Sequence, residues 1–216
     1  MRLVECVPNF SEGRNQKVID AIAEVIASVE GVRLLDVDPG KSTNRTVFTF
    51  VGEPEPVSEA AFRAIGRAAA LIDMRQHQGE HPRIGATDVC PFIPISGLSM
   101  EDCAELARKL GKRVGEELGI PVYLYAEAAA VAERRNLADI RQGEYEALEE
   151  RMKNGFKPDF GAAEFNPAAG ATVIGARPFL IAYNVNLNTK SKKLANEIAL
   201  TIREAGRAKR DENGNI

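Results

Sequence analysis

Apolar and polar positions recur with recognisable periods along most of this chain. Residues 2–7 are a short β-branched run that stops at Pro8 and reads as a strand. Pro8-Asn9-Phe10-Ser11-Glu12-Gly13-Arg14-Asn15 is polar and reads as a loop, with Asn15 placed to cap a helix. Val18, Ile19, Ile22, Val25 and Ile26 then share one helical face, and Gly31 stops that helix. Residues 32–37 read as a second strand, Asp38-Pro39-Gly40-Lys41-Ser42-Thr43-Asn44 as a turn, and residues 45–51 as a third, alternating strand. A helix follows Pro54 and Pro56 and runs to about Met74, with Ala61, Ile65, Ala68 and Ala69 inward; residues 89–95 give a fourth strand. Strand, helix, strand, strand, helix, strand is the split βαβ order. The expected fold class is therefore α/β, a ferredoxin-like βαββαβ-type mixed sheet with helices on one face.

Beyond this unit, Ser99 caps a helix reaching about Leu118, and residues 122–125 form a fifth strand. Residues 127–151 are rich in alanine and charge and suggest short helices, and residues 155–170 form a long loop of the kind that usually carries function. Residues 179–185 read as a strong strand, residues 190–204 as a helix and residues 206–216 as a polar tail. The expected division is one subdomain at residues 1–178 and the start of a second α/β subdomain at residues 179–216, which looks truncated after one strand and one helix.

Composition narrows the class. Hydrophobic residues make up 44% and charged residues 27% of the 216, the range of a soluble globular protein. A net charge of −3 supplies no basic stripe for nucleic acid. No apolar run approaches membrane-spanning length and the first residues lack a signal segment, so a cytoplasmic protein is expected. Cys6, Cys90 and Cys103 contain no CxxC and read as buried, reduced thiols.

Both histidines lie between Gln76 and Phe92. His77-Gln78-Gly79-Glu80-His81 matches an inverted zinc-hydrolase pattern, but that chemistry needs both imidazoles one turn apart on a continuous helix. Gly79 and Pro82 oppose such a helix, and no metal is expected. The alternatives are a solvated loop or one working imidazole at His81, its pKa raised and its ring oriented by Glu80 or Asp88, with Arg83 opposing. Asp36 and Asp38 share a face at the end of a strand; they either hold a cationic amidine or pterin edge, or merely begin a turn. Gly161, Ala162, Ala163, Glu164, Phe165, Asn166, Pro167, Ala168, Ala169 and Gly170 form no phosphate loop, yet let the backbone approach a flat ligand closely.

Taken in order, several segments resemble the formiminotransferase family, meaning glutamate formimidoyltransferases and the N-terminal region of formiminotransferase-cyclodeaminase. They include Leu3-Val4-Glu5-Cys6-Val7-Pro8-Asn9-Phe10-Ser11-Glu12-Gly13, Ser42-Thr43-Asn44-Arg45-Thr46-Val47 and Gly79-Glu80-His81-Pro82-Arg83. Asp88-Val89-Cys90-Pro91-Phe92-Ile93-Pro94, Pro121-Val122-Tyr123-Leu124-Tyr125 and Pro158-Asp159-Phe160-Gly161 extend the match. The resemblance implies transfer of the formimidoyl group from N-formimidoyl-L-glutamate to N5 of tetrahydrofolate, a co-substrate, without a metal. It places the family's catalytic histidine at His81 and its folate-contacting segment at residues 161–170. It also implies a homodimer with no nucleic-acid or membrane partner. Side-chain chemistry adds Asp36 and Asp38 as candidates for the amidinium, and Arg45 and Arg83 for substrate carboxylates. The competing expectations are formyl transfer from N-formylglutamate, and a truncated, non-catalytic folate-binding or dimerisation module.

Overall fold

Strand β1 (Leu3–Cys6) buries Val4 and Cys6 and leaves Leu3 and Glu5 half-buried, the two-residue period of a sheet with one face in a core. Pro8 interrupts the ladder, and strand β2 (Asn9–Phe10) resumes it, with Asn9 opposite Val47 on one side and Val89 on the other. The polar loop expected from Pro8 onward therefore begins later, at Ser11. These elements belong to a computed structural model that describes residues 1–181, 185 and 187–202. The chain divides into two units, Met1–Phe179 and Leu180–Ile216.

Helix α1 (Gln16–Ala27) starts where Asn15 accepts the Lys17 N–H on its side chain, and it buries Ile19, Ile22 and Ile26. Gly31, at φ +82°, turns the chain into β3 (Val32–Gly40), which pairs antiparallel with β4 (Arg45–Gly52). Asp38, Pro39 and Gly40 pair with Val47, Thr46 and Arg45, so the turn expected at Asp38 starts only at Lys41. Helix α2 (Pro54–Leu71) has proline in its first turn and buries Ala60, Ala61, Ala64 and Ala68. It stops before Met74, whose N–H donates instead to Ala168. Strand β5 (Thr87–Ser96) is buried on both faces over most of its length. Helix α3 (Met100–Glu117) opens with a reciprocal Ser99–Asp102 capping box. Strand β6 (Val122–Ala126), a 3₁₀ turn at Ala132–Arg134, and helices α4 (Leu137–Ile140) and α5 (Glu144–Lys153) follow.

Besides β2, a second strand escapes the sequence reading. Strand β7 (Thr172–Ala176) inserts between β5 and β6, parallel to both. The sheet order is β3, β4, the β1–β2 pair, β5, β7, β6, antiparallel in its first half and parallel in its second. The three long helices share one face, over Phe48, Phe50, Phe92 and Ile174. The expectation of helices on one face holds for these three. The short helices lie on the other face, where Ile140, Leu148 and Met152 cover Tyr123, Tyr125 and Val173. Each fully buried aromatic contributes about 1.5–3 kcal/mol of transfer free energy, so both faces stabilise the parallel half of the sheet.

In the second unit, helix α6 (Lys192–Ile202) matches the expected helix. No strand forms at Phe179, Leu180, Ile181 or Val185, and residues 182–184, 186 and 203–216 lie outside the described residues. Among the described residues no helix is long and apolar enough to cross a membrane.

Candidate active site

The face of the sheet turned away from the long helices carries a row of side chains across four strands. Asp38 lies opposite Val47, Val47 opposite Asn9, and Asn9 opposite Val89. Arg45, two residues before Val47, projects on this same face. Its Nε donates to Asn9 Oδ1 at 3.0 Å and a terminal nitrogen donates to Asp88. Asp88 is 0% exposed and also accepts the Ile84 N–H at 3.1 Å. A second guanidinium reaches the same carboxylate: Arg141, just past the end of α4, donates through Nε at 3.2 Å and through a terminal nitrogen. Burial works to raise the Asp88 pKa, but Arg45 and Arg141 outweigh it and hold the carboxyl below its usual range. Two cations on one buried anion leave one net positive charge at this end of the sheet.

The histidine loop is anchored beside this cluster. Residues 72–86 form no helix, so the inverted-zincin spacing does not place both imidazoles on one helical face. Asn44, at φ +46°, accepts the Gly13 N–H on Oδ1 (3.0 Å) and donates through Nδ2 to Gln78 O (3.0 Å). Gly79 fits tightly here, since a Cβ on it would stand 2.2 Å from Thr43 O. His77 is buried and held at both ring nitrogens: Nε2–H donates to Asn44 O at 2.8 Å, and Nδ1 accepts from Arg83 Nε at 3.2 Å. Burial lowers its pKa, and the Arg83 charge adds to that, so the ring is neutral at pH 7.

Arg83 spends its remaining donors on Glu144, Glu146 and His77 O. It is buried, and every nitrogen of its guanidinium is engaged. The residue proposed from side-chain chemistry for a substrate carboxylate thus supports the loop, and we assign it no substrate contact.

His81 differs from His77. It is half-buried, and its Nδ1 lies 2.8 Å from Pro82 O. A carbonyl only accepts, so Nδ1 carries the hydrogen and Nε2 presents its lone pair. Among the described residues Nε2 has no protein partner. Burial lowers the His81 pKa, and Arg45 and Arg141 lower it further against the Pro82 bond and Asp88. The rise expected from Glu80 or Asp88 is therefore reversed. Glu80 is exposed, and Asp88 is already claimed by two arginines.

The segment 161–170 is fixed at both ends. At its start, a Cβ on Gly161 would lie 2.8 Å from Ile120 O, and one on Gly115 of α3 would lie 2.5 Å from Gly161 N. At its end, Ala86 N–H donates to Ala169 O at 2.8 Å and Ala171 N–H to Ile84 O at 3.0 Å, with Gly85 and Gly170 bridged. The histidine loop and the end of this segment are thus joined by backbone pairing. Between its ends, Ala163, Glu164, Phe165 and Pro167 line an open cavity of about 540 Å³ with Glu149, Met152 and Lys153 of α5. Asp36 and Asp38 are exposed on the edge strand and have no basic partner among the described residues.

The family model "Formiminotransferase domain, N-terminal subdomain" matches residues 3–177, and "Formiminotransferase domain" matches residues 182–216. The chain belongs to the formiminotransferase family. It is 58% identical over 216 residues to a protein of Rattus norvegicus named formimidoyltransferase-cyclodeaminase, covering 100% of this chain and 40% of that protein. It is 55% identical over 206 residues to the glutamate formimidoyltransferase of Thermoplasma acidophilum, covering 94% and 68%, and 46% identical to that of Streptococcus pyogenes, covering 95% and 69%. The chain thus spans two-fifths of the length of the bifunctional relatives and about two-thirds of the monofunctional ones.

Sequence reasoning missed Asn9, Asn44 and Arg141 as members of the cluster. Asn9 and Asn44 stood inside matched motifs, beside Pro8 and Arg45, but had no chemistry of their own to mark them. Arg141 lay in the charge-rich stretch after β6, where nothing distinguished it from the other arginines.

Proposed function

We propose that the chain takes part in formimidoyl transfer from N-formimidoyl-L-glutamate to N5 of tetrahydrofolate, with His81 as the proton carrier. The observation that carries this reading is the His81 imidazole. Its Nδ1 is pinned by Pro82 O, and among the described residues its Nε2 has no protein partner, within the field of the Arg45–Asp88–Arg141 cluster. A neutral imidazole with one free lone pair is what a general base at neutral pH requires.

In this reading His81 Nε2 takes the proton from N5 as N5 bonds to the formimidoyl carbon. The imidazolium then returns a proton to the glutamate nitrogen as the old carbon–nitrogen bond breaks. The same group serves as base and acid, and the step balances without a metal or a covalent enzyme intermediate. Asp36 and Asp38, exposed and without basic partners among the described residues, are suited to the amidinium, and their charge favours a cationic formimidoyl over a neutral formyl donor. Arg45 is suited to a substrate carboxylate. Residues 161–170 supply a folate surface: the cavity against α5 has the size of an ordinary small-molecule site, and Phe165 gives it an aromatic wall. The names of the relatives from Thermoplasma acidophilum and Streptococcus pyogenes support the activity.

The test is a transfer reaction with the purified chain, offering N-formimidoyl-L-glutamate and N-formyl-L-glutamate separately with tetrahydrofolate and identifying the product by mass. Formimidoyl product from the first donor, in excess over formyl product from the second, supports the reading. Formyl product alone replaces it, and folate binding without either product leaves a binding module.

A further inference from the structure

The Arg45–Asp88–Arg141 cluster is under-satisfied in a specific way. Arg45 uses Nε on Asn9 and one terminal nitrogen on Asp88, while Arg141 uses Nε and one terminal nitrogen on Asp88. The other terminal nitrogen of each has no protein acceptor among the described residues. Both side chains are nevertheless largely withdrawn from water, at 7% and 13% exposure. Holding two guanidiniums on one carboxylate brings like charges together, and the free terminal nitrogens, which are not among the buried unpaired atoms, open toward solvent where an anion can reach them. Arg141 indeed works against the charge on Arg45. A purely structural ion pair would need only one of the two.

We propose that Arg45 and Arg141, seated together on Asp88, form a binding site for one carboxylate of a glutamate-like substrate, with Arg141 the residue that selects it. A carboxylate has two oxygens with the spacing to accept one N–H from each free terminal nitrogen, and it cancels the net positive charge. Asp88 is the positioning residue that fixes both guanidinium planes. Arg45, Arg141 and Asp88 are also the charged groups that act on His81, so a carboxylate bound there is within electrostatic reach of the imidazole. The inference rests on the transfer reading for its choice of glutamate, but it concerns binding and needs no turnover.

The experiment uses L-glutamate as the probe and the full 216-residue chain, with nuclear magnetic resonance of the His81 ring as readout. Bound L-glutamate should shift the His81 resonances and raise the His81 pKa, because it neutralises the neighbouring positive charge. Arg141→Gln should weaken L-glutamate binding at least tenfold while tetrahydrofolate affinity stays within twofold. Arg141→Lys, which keeps the charge and loses the planar fork, should recover part of that loss. If Arg141→Gln does not fold, Arg141→Lys alone decides, by reduced glutamate affinity at an unchanged melting temperature. Unchanged glutamate affinity in the folded variant, or no L-glutamate binding near His81 in the wild type, overturns the proposal. A chain that binds L-glutamate here yet transfers nothing overturns the transfer reading and leaves this site standing.

Discussion

The ring Nε2–H of His77 donates to the main-chain carbonyl of Asn44 across 2.8 Å, and this bond ties the loop bearing His81 to the turn between β3 and β4. The two histidines are held differently. His77 is bonded at both ring nitrogens, whereas among the described residues His81 is bonded at Nδ1 alone. Asn44 suits its place because asparagine tolerates a left-handed backbone and its amide bonds both neighbouring loops.

His77→Ala removes two hydrogen bonds and leaves Arg83 Nε buried without its partner. We expect a stability loss of about 1–3 kcal/mol by denaturant unfolding, with a much smaller change in turnover per folded molecule than at His81. An unfolding midpoint equal to wild type would show that its bonds carry no net stability.

Asp88→Asn leaves Arg45 and Arg141 facing a neutral amide. Breaking a buried pair in this way costs about 3–5 kcal/mol. Because the folded pKa of Asp88 is lowered, its contribution is fully present above the ordinary carboxylate value. It disappears as pH falls through the lower folded value. The gap between wild type and Asp88→Asn in thermal unfolding should therefore be widest near pH 7 and should close in strong acid. A gap that does not vary with pH would contradict the ion-pair account.

Gly85→Ala places a methyl group 2.1 Å from Ala171 O and 2.6 Å from Ala169 O. The backbone pairing that joins the histidine loop to residues 161–170 must open. We expect about 1–3 kcal/mol of lost stability and weaker tetrahydrofolate binding, measured by unfolding and calorimetry. Wild-type folate affinity in a destabilised Gly85→Ala chain would separate that junction from the folate surface.

With the neutral His81 imidazole as the proposed base, its lowered pKa predicts that kcat/KM stays level from about pH 8 down to the ordinary histidine value near 6.5. It should fall with unit slope only below that. A fall already complete at pH 7 would mean that a raised pKa, with a carboxylate beside the ring, governs the reaction.

Much of this fold is legible in the sequence because local signals and packing agree. Asn15 and Ser99 cap the helices they were expected to cap, and the alternating burial along β4 follows its alternating sequence. β7 was missed because Thr172-Val173-Ile174-Gly175-Ala176 is buried on both faces, and a parallel strand between two others shows no two-residue period. The β3 hairpin outran its expected turn because Pro39 sits on an edge strand, where the missing N–H is harmless. At the candidate site, the motif around His81 singled out the residue but carried no sign of its electrostatics. The lowering charges come from Arg45, 36 positions before it, and Arg141, 60 positions after it, and only the fold brings them there. Arg83 looked available in sequence because its partners Glu144 and Glu146 are equally remote.

The most direct measurement is turnover of N-formimidoyl-L-glutamate with tetrahydrofolate by wild type and His81→Ala, with thermal unfolding recorded on both. His81 is half-buried and, among the described residues, its ring bonds only to the adjacent Pro82 carbonyl, so its removal should leave the melting temperature nearly unchanged. The account predicts a loss of about 100-fold or more in kcat for the variant, the usual scale for a general base. Undiminished turnover in a folded His81→Ala chain would contradict it.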